Sequence, residues 1–231
     1  MEKQLQNDAS STFDIDTKNS ISAYGTPGSG DVFIKAPENY QNLSVLGRGG
    51  SFLLPTLFPE GYFNAALLVL DKLASSNSAG EKDSLIYPAL FNFRHYLELT
   101  IKDSIYNFTK KKRRKKKCFF SFCKNKKNQT IKYPYGHKLK PLWKKLKSLI
   151  PDFPSDSTDD TVDKLIKELD KLDKNSMTFR YVFQIAKPKD TKNKLIINEA
   201  KDVDVENLKI IMCKLYNYFE GISCLSYLED N

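Results

Sequence analysis

A chain of 231 residues with 40% hydrophobic content, 15 Phe and 12 Tyr can bury a sizeable core, which excludes a wholly unstructured polypeptide and a small disulfide scaffold. Its longest apolar run, Ala65–Leu70, falls far short of the ~18 residues of a membrane-spanning helix, and MEKQLQNDASS lacks the apolar stretch of a signal peptide, so a cytoplasmic location is expected. The net charge of +9 hides a polarity: Lys110–Lys147 holds 17 Lys or Arg and no Asp or Glu, whereas elsewhere 20 basic residues face 28 acidic ones, a net of −8. An acidic body with one basic insert favours a polyanion partner bound at one place.

Residues 1–50 read as a flexible arm. Asn7–Asp31 is rich in Ser, Thr, Asn and Gly without a sustained period, and Val32-Phe33-Ile34 is a candidate edge strand. LGRGGS at Leu46–Ser51 lacks the Gly-Lys-Ser/Thr ending of a phosphate loop and follows no strand, so it reads as a connector. A first helix is expected from Pro59 to about Ser75, with Phe63, Ala66, Leu67, Leu70, Leu73 and Ala74 at helical spacing. SSNSAGEKDS reads as a loop. The next helix spans about Leu85 to Lys110, with Leu85, Ala89, Phe93, Leu97, Ile101, Ile105 and Phe108 on one face and Pro88 near its start.

The basic insert occupies 110–136. Its eight consecutive cations, Lys110, Lys111, Lys112, Arg113, Arg114, Lys115, Lys116 and Lys117, repel one another, so a helix end is expected to run into a mobile loop. CFFSFC, Lys124, Lys126, Lys127 and the closing YPYGH follow. An amphipathic helix from His137 buries Leu139, Leu142, Trp143 and Leu146, carries Lys138, Lys140, Lys144, Lys145 and Lys147 outside, and ends at Pro151 and Pro154. Ser157–Asp160 resembles the N-cap of a fourth helix with Val162, Leu165, Ile166, Leu169 and Leu172 inside. The period then changes from 3.6 to 2. Phe179, Tyr181, Phe183 and Ile185 alternate with Arg180, Val182, Gln184 and Ala186, and Leu195-Ile196-Ile197 reads as the returning strand of a hairpin. Asp204 caps a last helix striped by Leu208, Ile211, Met212, Leu215, Phe219 and Ile222. The expected fold is an all-α bundle of about five helices with a minor β-hairpin before the C-terminal helix, in one domain over 51–231.

Metal chemistry has little to build on. Cys213 and Cys224 fall in the last helix, Cys118 and Cys123 flank a Phe-rich patch, and only His137 lies near the latter pair, short of a zinc set. No cofactor is implied. Chemistry-bearing residues concentrate instead in FNFRHYLELTIK, where Arg94, Glu98 and Lys102 are spaced four apart and His95 sits three before Glu98. An exposed ladder of this kind is worth ~0.3–0.5 kcal/mol per pair. Leu90, Phe91, Phe93, Tyr96, Leu97 and Leu99 make the same turns apolar nearly all round, so a buried Glu98 partnered by Arg94 or Lys102 is the other reading.

FRHYLELTIK, a variable loop, then GHKLKPLWKKL resembles helical HEPN (higher eukaryotes and prokaryotes nucleotide-binding) domains, and SMTFRYVF with DVENLKIIMCKLYNYF looks like the C-terminal half of uncharacterised bacterial HEPN-like proteins. The resemblance spans about Pro59 to Leu228 without the lysine insert. It implies a helical bundle, often a homodimer, acting on RNA or nucleotides in bacterial defence or toxin–antitoxin systems, with an antitoxin or nucleotidyltransferase as partner. Many members are metal-independent ribonucleases marked by an Arg followed after four to six residues by a His. This chain lacks that motif: Arg48, Arg94, Arg113, Arg114 and Arg180 have no His at those distances, and Lys132 before His137 is the nearest imitation. Cleavage of RNA would require a proton acceptor and a cation for the developing phosphorane charge. His95 and His137 are the available imidazoles, Arg94, Lys102 and Arg180 the candidate charge stabilisers, and Glu98 the acidic partner. The structural alternatives are a capping or packing role for each His and a plain surface role for Arg180.

The lysine stretch admits several readings. It can grip nucleic-acid phosphates beside Phe119, Phe120, Phe122 and Tyr133 as stacking surfaces, serve as a nuclear localisation signal in a eukaryotic host, meet anionic lipid, or stand as a solvated loop with no specific role. The rival to an RNA-binding function is a non-catalytic module whose basic loop engages an acidic partner protein.

Overall fold

Ser78 opens the longest element of the protein by accepting a hydrogen bond from the Glu81 backbone N–H at 3.2 Å, an N-cap, while the Glu81 carboxylate accepts from Ser76 Oγ. In the computed structural model, which describes residues 50–119, 131–150, 157–173, 176–183, 195–197 and 199–227 with scattered positions between 26 and 48, the described residues form five helices. These are α1 (Gly50–Ser75), α2 (Ala79–Phe119), α3 (Leu139–Lys147), α4 (Ser157–Leu172) and α5 (Val205–Tyr227). The all-α class is as expected.

α2 is the axis of the bundle. It packs against α1, α3 and α5, with α4 laid on α3 and α1 touching α5. The stripes read from the sequence meet in one core: Phe63, Leu70 and Leu73 from α1, Phe93, Leu97 and Ile101 from α2, Leu139, Trp143 and Leu146 from α3, Ile166 from α4, and Met212 and Phe219 from α5. Burying each such side chain contributes ~1.5–3 kcal/mol. α3 is clamped to α4 by polar groups as well, since Asp163 Oδ1 accepts from Trp143 Nε1 at 2.5 Å and from Lys147 Nζ at 2.6 Å. Asp204 caps α5 by accepting from the Asn207 N–H at 2.9 Å.

Three boundaries differ from the sequence reading. α1 begins at Gly50 rather than Pro59 and contains Pro55 and Pro59, whose missing N–H groups leave carbonyls one turn earlier without a helical partner. α2 continues through the cation run to Phe119, where a loop was expected. Lys and Arg are good helix formers, positive charge suits a helix C-terminus, and solvent screens repulsion between exposed cations. The hairpin is reduced, among the described residues, to one antiparallel bridge between Phe183 and Leu195 with Ile196 N donating to Val182 O at 3.0 Å. Met177–Arg180 is a turn, so the alternation there reports a half-exposed connector rather than a sheet. Phe33 and Ile34 lie in no strand and are exposed. Most of the N-terminal arm, Lys124, Lys126, Lys127, Cys123, Phe120 and Phe122 lie outside the described residues, as do the side chains of Lys115, Lys116, Lys117 and Phe119.

Candidate nucleic-acid interface beside a buried ion network

Arg94, Glu98 and Lys102 stand on successive turns of α2, and the bundle closes over them. Arg94 is fully buried, Glu98 nearly so and Lys102 almost as deeply. Glu98 Oε2 accepts from Arg94 Nη1 at 3.2 Å, and Glu98 Oε1 accepts from Lys102 Nζ at 2.7 Å. Arg94 also reaches away from its own helix. Its Nε donates to the backbone carbonyl of Asp173 at 3.0 Å, just beyond α4, and its Nη2 donates to the carbonyl of His137, just before α3. The Asp173 carboxylate is buried 3.3 Å from the same Nε, but that N–H is directed at the Asp173 carbonyl, so Oδ2 takes part through charge alone. Asp173 Oδ1 accepts from the N–H groups of Met177 at 2.7 Å and Thr178 at 2.9 Å, which fixes the turn after α4. Two cations and two carboxylates are thus buried together in balance, as buried charge requires.

His137 completes the network from outside. Its Nδ1 lies 2.9 Å from Glu98 Oε1, while its side chain is 62% exposed. Burial pushes the Glu98 carboxyl up, but hydrogen bonds and charge from Lys102 and His137 outweigh it and hold Glu98 below the usual carboxylate range. An ionised carboxylate only accepts, so Nδ1 of His137 is the donor and Nε2 is the ring atom left to exchange a proton with a ligand.

Two cavities adjoin this corner. One, of about 380 Å³, is lined by Tyr135, His137, Lys138, Pro141 and Lys145 among others; the second, of about 510 Å³, by Ile105, Tyr106, Thr109, Arg113, Ile131, Lys132 and Lys145. Lys145 of α3 belongs to both, and neither has an acidic lining residue. The segment between them is held to α2 by Tyr133, whose hydroxyl donates to Asp103 Oδ1 at 2.6 Å and whose ring lies 6.3 Å from that of Tyr106. Burial pushes the Asp103 carboxyl up to about 6 despite that bond and the nearby Lys102.

The remaining two candidates sit elsewhere. The His95 ring meets Tyr62 edge-on at 4.4 Å and stacks with Phe91 at 5.9 Å, and the Arg180 guanidinium lies 5.6 Å from the Phe91 ring. Burial lowers the His95 pKa; Glu98 opposes that shift, and Lys102, Arg180 and Arg94 reinforce it. His95 is therefore neutral near pH 7 and contacts aromatic rings, while Arg180 is an exposed member of the same ledge. Of the six residues singled out for chemistry, Arg94, Glu98, Lys102 and His137 come together, and His95 and Arg180 form a neighbouring aromatic group.

No protein-family model, curated protein or solved structure matches this chain.

The described cations of the insert are ordered by α2: Lys110, Lys112 and Arg114 are exposed, Lys111 and Arg113 partly covered, and Lys111 Nζ reaches the Leu225 carbonyl at 3.5 Å. Lys132 and Lys145 line the second cavity together with Arg113, and Lys138, Lys140 and Lys144 are exposed as well. Asp173, Tyr106 and Asp103 were missed by sequence reasoning. Asp173 lies 79 residues from Arg94 and carries no local signal, whereas Tyr106 and Asp103 are readable from their position beside the buried stripe of α2.

Proposed function

We propose that this protein binds RNA as a polyanion on the basic face made by the end of α2 and by α3, as a HEPN-like protein of the kind its helical motifs resemble. The observation that carries this reading is the run of exposed Lys110, Lys112, Arg114, Lys132, Lys138, Lys140, Lys144 and Lys145, in a stretch without one carboxylate. Such a face neutralises phosphates and releases their condensed counterions without reading sequence. Fluorescence anisotropy with a labelled oligouridylate in rising salt tests it. Three or more phosphate contacts give a log–log slope of about −2 or steeper on a single strand. A flat salt response, or equal affinity for polyglutamate, favours the acidic-protein partner instead.

A ribonuclease reading is favoured by one observation, the exposed His137 ring oriented by buried Glu98 beside Lys138 and Lys145. In it, His137 Nε2 takes the 2′-hydroxyl proton as the 2′-oxygen bonds to phosphorus, a neighbouring lysine faces the developing charge, and the P–O5′ bond breaks with the 5′-oxygen taking a proton from water. Chelator-insensitive cleavage of total RNA that disappears in His137→Gln supports it; absence of cleavage by the intact protein leaves a binding function.

A further inference from the structure

The 510 Å³ cavity differs in character from the open basic face around it. Its α2 wall presents Ile105, the Tyr106 ring and Thr109, and its rim carries Arg113, Lys132 and Lys145. An apolar and aromatic wall facing a cationic rim matches neither a bare phosphate nor a purely apolar ligand. It matches a nucleotide, with a base against the ring and a phosphate among the cations. The volume lies within the ordinary range for small-ligand sites. Lys145 also walls the cavity that contains His137, so a phosphate held there sits between the two spaces.

We infer that this cavity is a base-accepting subsite that makes the protein selective for single-stranded RNA: one unstacked base lies against Tyr106, its phosphate engages Lys145, and the adjoining nucleotide enters the cavity beside His137. The inference rests on the RNA-binding reading above and adds to it a class of substrate. A duplex buries its base faces in its own stack and offers only phosphates and groove edges to such a wall, so it is held by charge alone. The Tyr133–Asp103 hydrogen bond positions the segment carrying Ile131 and Lys132, the wall opposite α2.

The test compares oligouridylate, an RNA duplex of equal length and inorganic polyphosphate by anisotropy or competition, with the full-length protein. The expected order places oligouridylate above the duplex. Tyr106→Ala weakens oligouridylate binding between about fivefold and about 100-fold, the range for loss of one stacked base, without changing the salt slope or the polyphosphate affinity. Tyr106→Phe retains the wild-type value. Thr109→Phe fills the cavity from the helix surface without removing a core group and produces the same selective loss, so the inference remains testable if Tyr106→Ala misfolds. Lys145→Gln weakens all three ligands and lowers the slope on the single strand by about 0.7. Unchanged oligouridylate affinity in folded Tyr106→Ala or Thr109→Phe overturns the subsite while leaving charge-driven RNA binding intact. Failure of all three ligands to bind the wild-type protein overturns both.

Discussion

Helix α2 carries two sets of charges that the sequence writes in the same letters and the fold treats in opposite ways. Around Arg94, Glu98 and Lys102 the charges are buried, paired at 3.2 and 2.7 Å and tied to the backbone of two other elements. From Lys110 onward they are cations without carboxylates in the local sequence, and at Lys110, Lys112 and Arg114 they are exposed. A formal charge therefore says little until its surroundings are known. The first set holds the bundle together because each member would be costly to leave alone. In the second, the exposed Lys110, Lys112 and Arg114 face solvent and contribute little to folding.

The contrast is broken most directly by removing Arg94. Arg94→Ala leaves Glu98, Asp173 and two carbonyls short of a partner, and should destabilise the protein by about 3–5 kcal/mol in urea denaturation. A loss under about 1 kcal/mol would show that water reaches the cluster and that the two regions are alike. Neutralising Lys110, Lys112 and Arg114 together to Gln should do the reverse. Stability should stay within about 0.5 kcal/mol of wild type, while the salt slope of RNA binding falls by about 2.

The Asp103 carboxyl lies between these regions and sharpens the boundary. Its folded pKa of about 6 exceeds its ordinary value of 3.8, so between those values the folded state keeps a proton that the unfolded chain has released. Stability from this group is therefore greatest below pH 4 and is lost as pH rises towards 6. Asp103→Asn, which still offers an acceptor to Tyr133, should flatten that slope and add about 1–2 kcal/mol at pH 7, an amount reduced for partial solvation. Denaturation midpoints at several pH values check it. His137→Ala should have only a small effect on stability, within about 1 kcal/mol, since its ring is largely exposed and Glu98 keeps Arg94 and Lys102.

What the sequence revealed follows the range of the interaction involved. The helical stripes are local patterns, and Phe93, Leu97 and Ile101, or Leu139, Leu142 and Leu146, are buried as their spacing requires. The Arg94–Glu98–Lys102 ladder was legible for the same reason, and its apolar neighbours pointed to burial. His137 was singled out as an imidazole, but its contacts with Glu98 and Arg94 and the participation of Asp173 were not legible, because they join positions 39 to 79 residues apart. The α2 boundaries failed differently. Ser78 and Glu81 form a helix-start pattern hidden in a stretch that looks like a loop, and helix propensity prevailed over like-charge repulsion through the lysines. The alternation misled at Phe179 and Arg180, where a turn fixed by Asp173 and Ser176 takes its place, whereas Phe183 does pair with Leu195.

Arg94 and Tyr133 have one more effect, on what this chain can tolerate. The guanidinium on α2 fixes the His137 carbonyl, and the Tyr133 hydroxyl fixes the same segment to Asp103. The end of this connection that enters α3 is therefore anchored to α2 at two points, and its other end continues from α2 itself. For a closed segment of that kind, the entropy of closure grows only with the logarithm of its length, and doubling the length costs about 0.6 kcal/mol. Insertions or deletions between the cation run and Ile131 should therefore cost the bundle little. The length of that segment can be changed while the anchors keep α3 in register with α2.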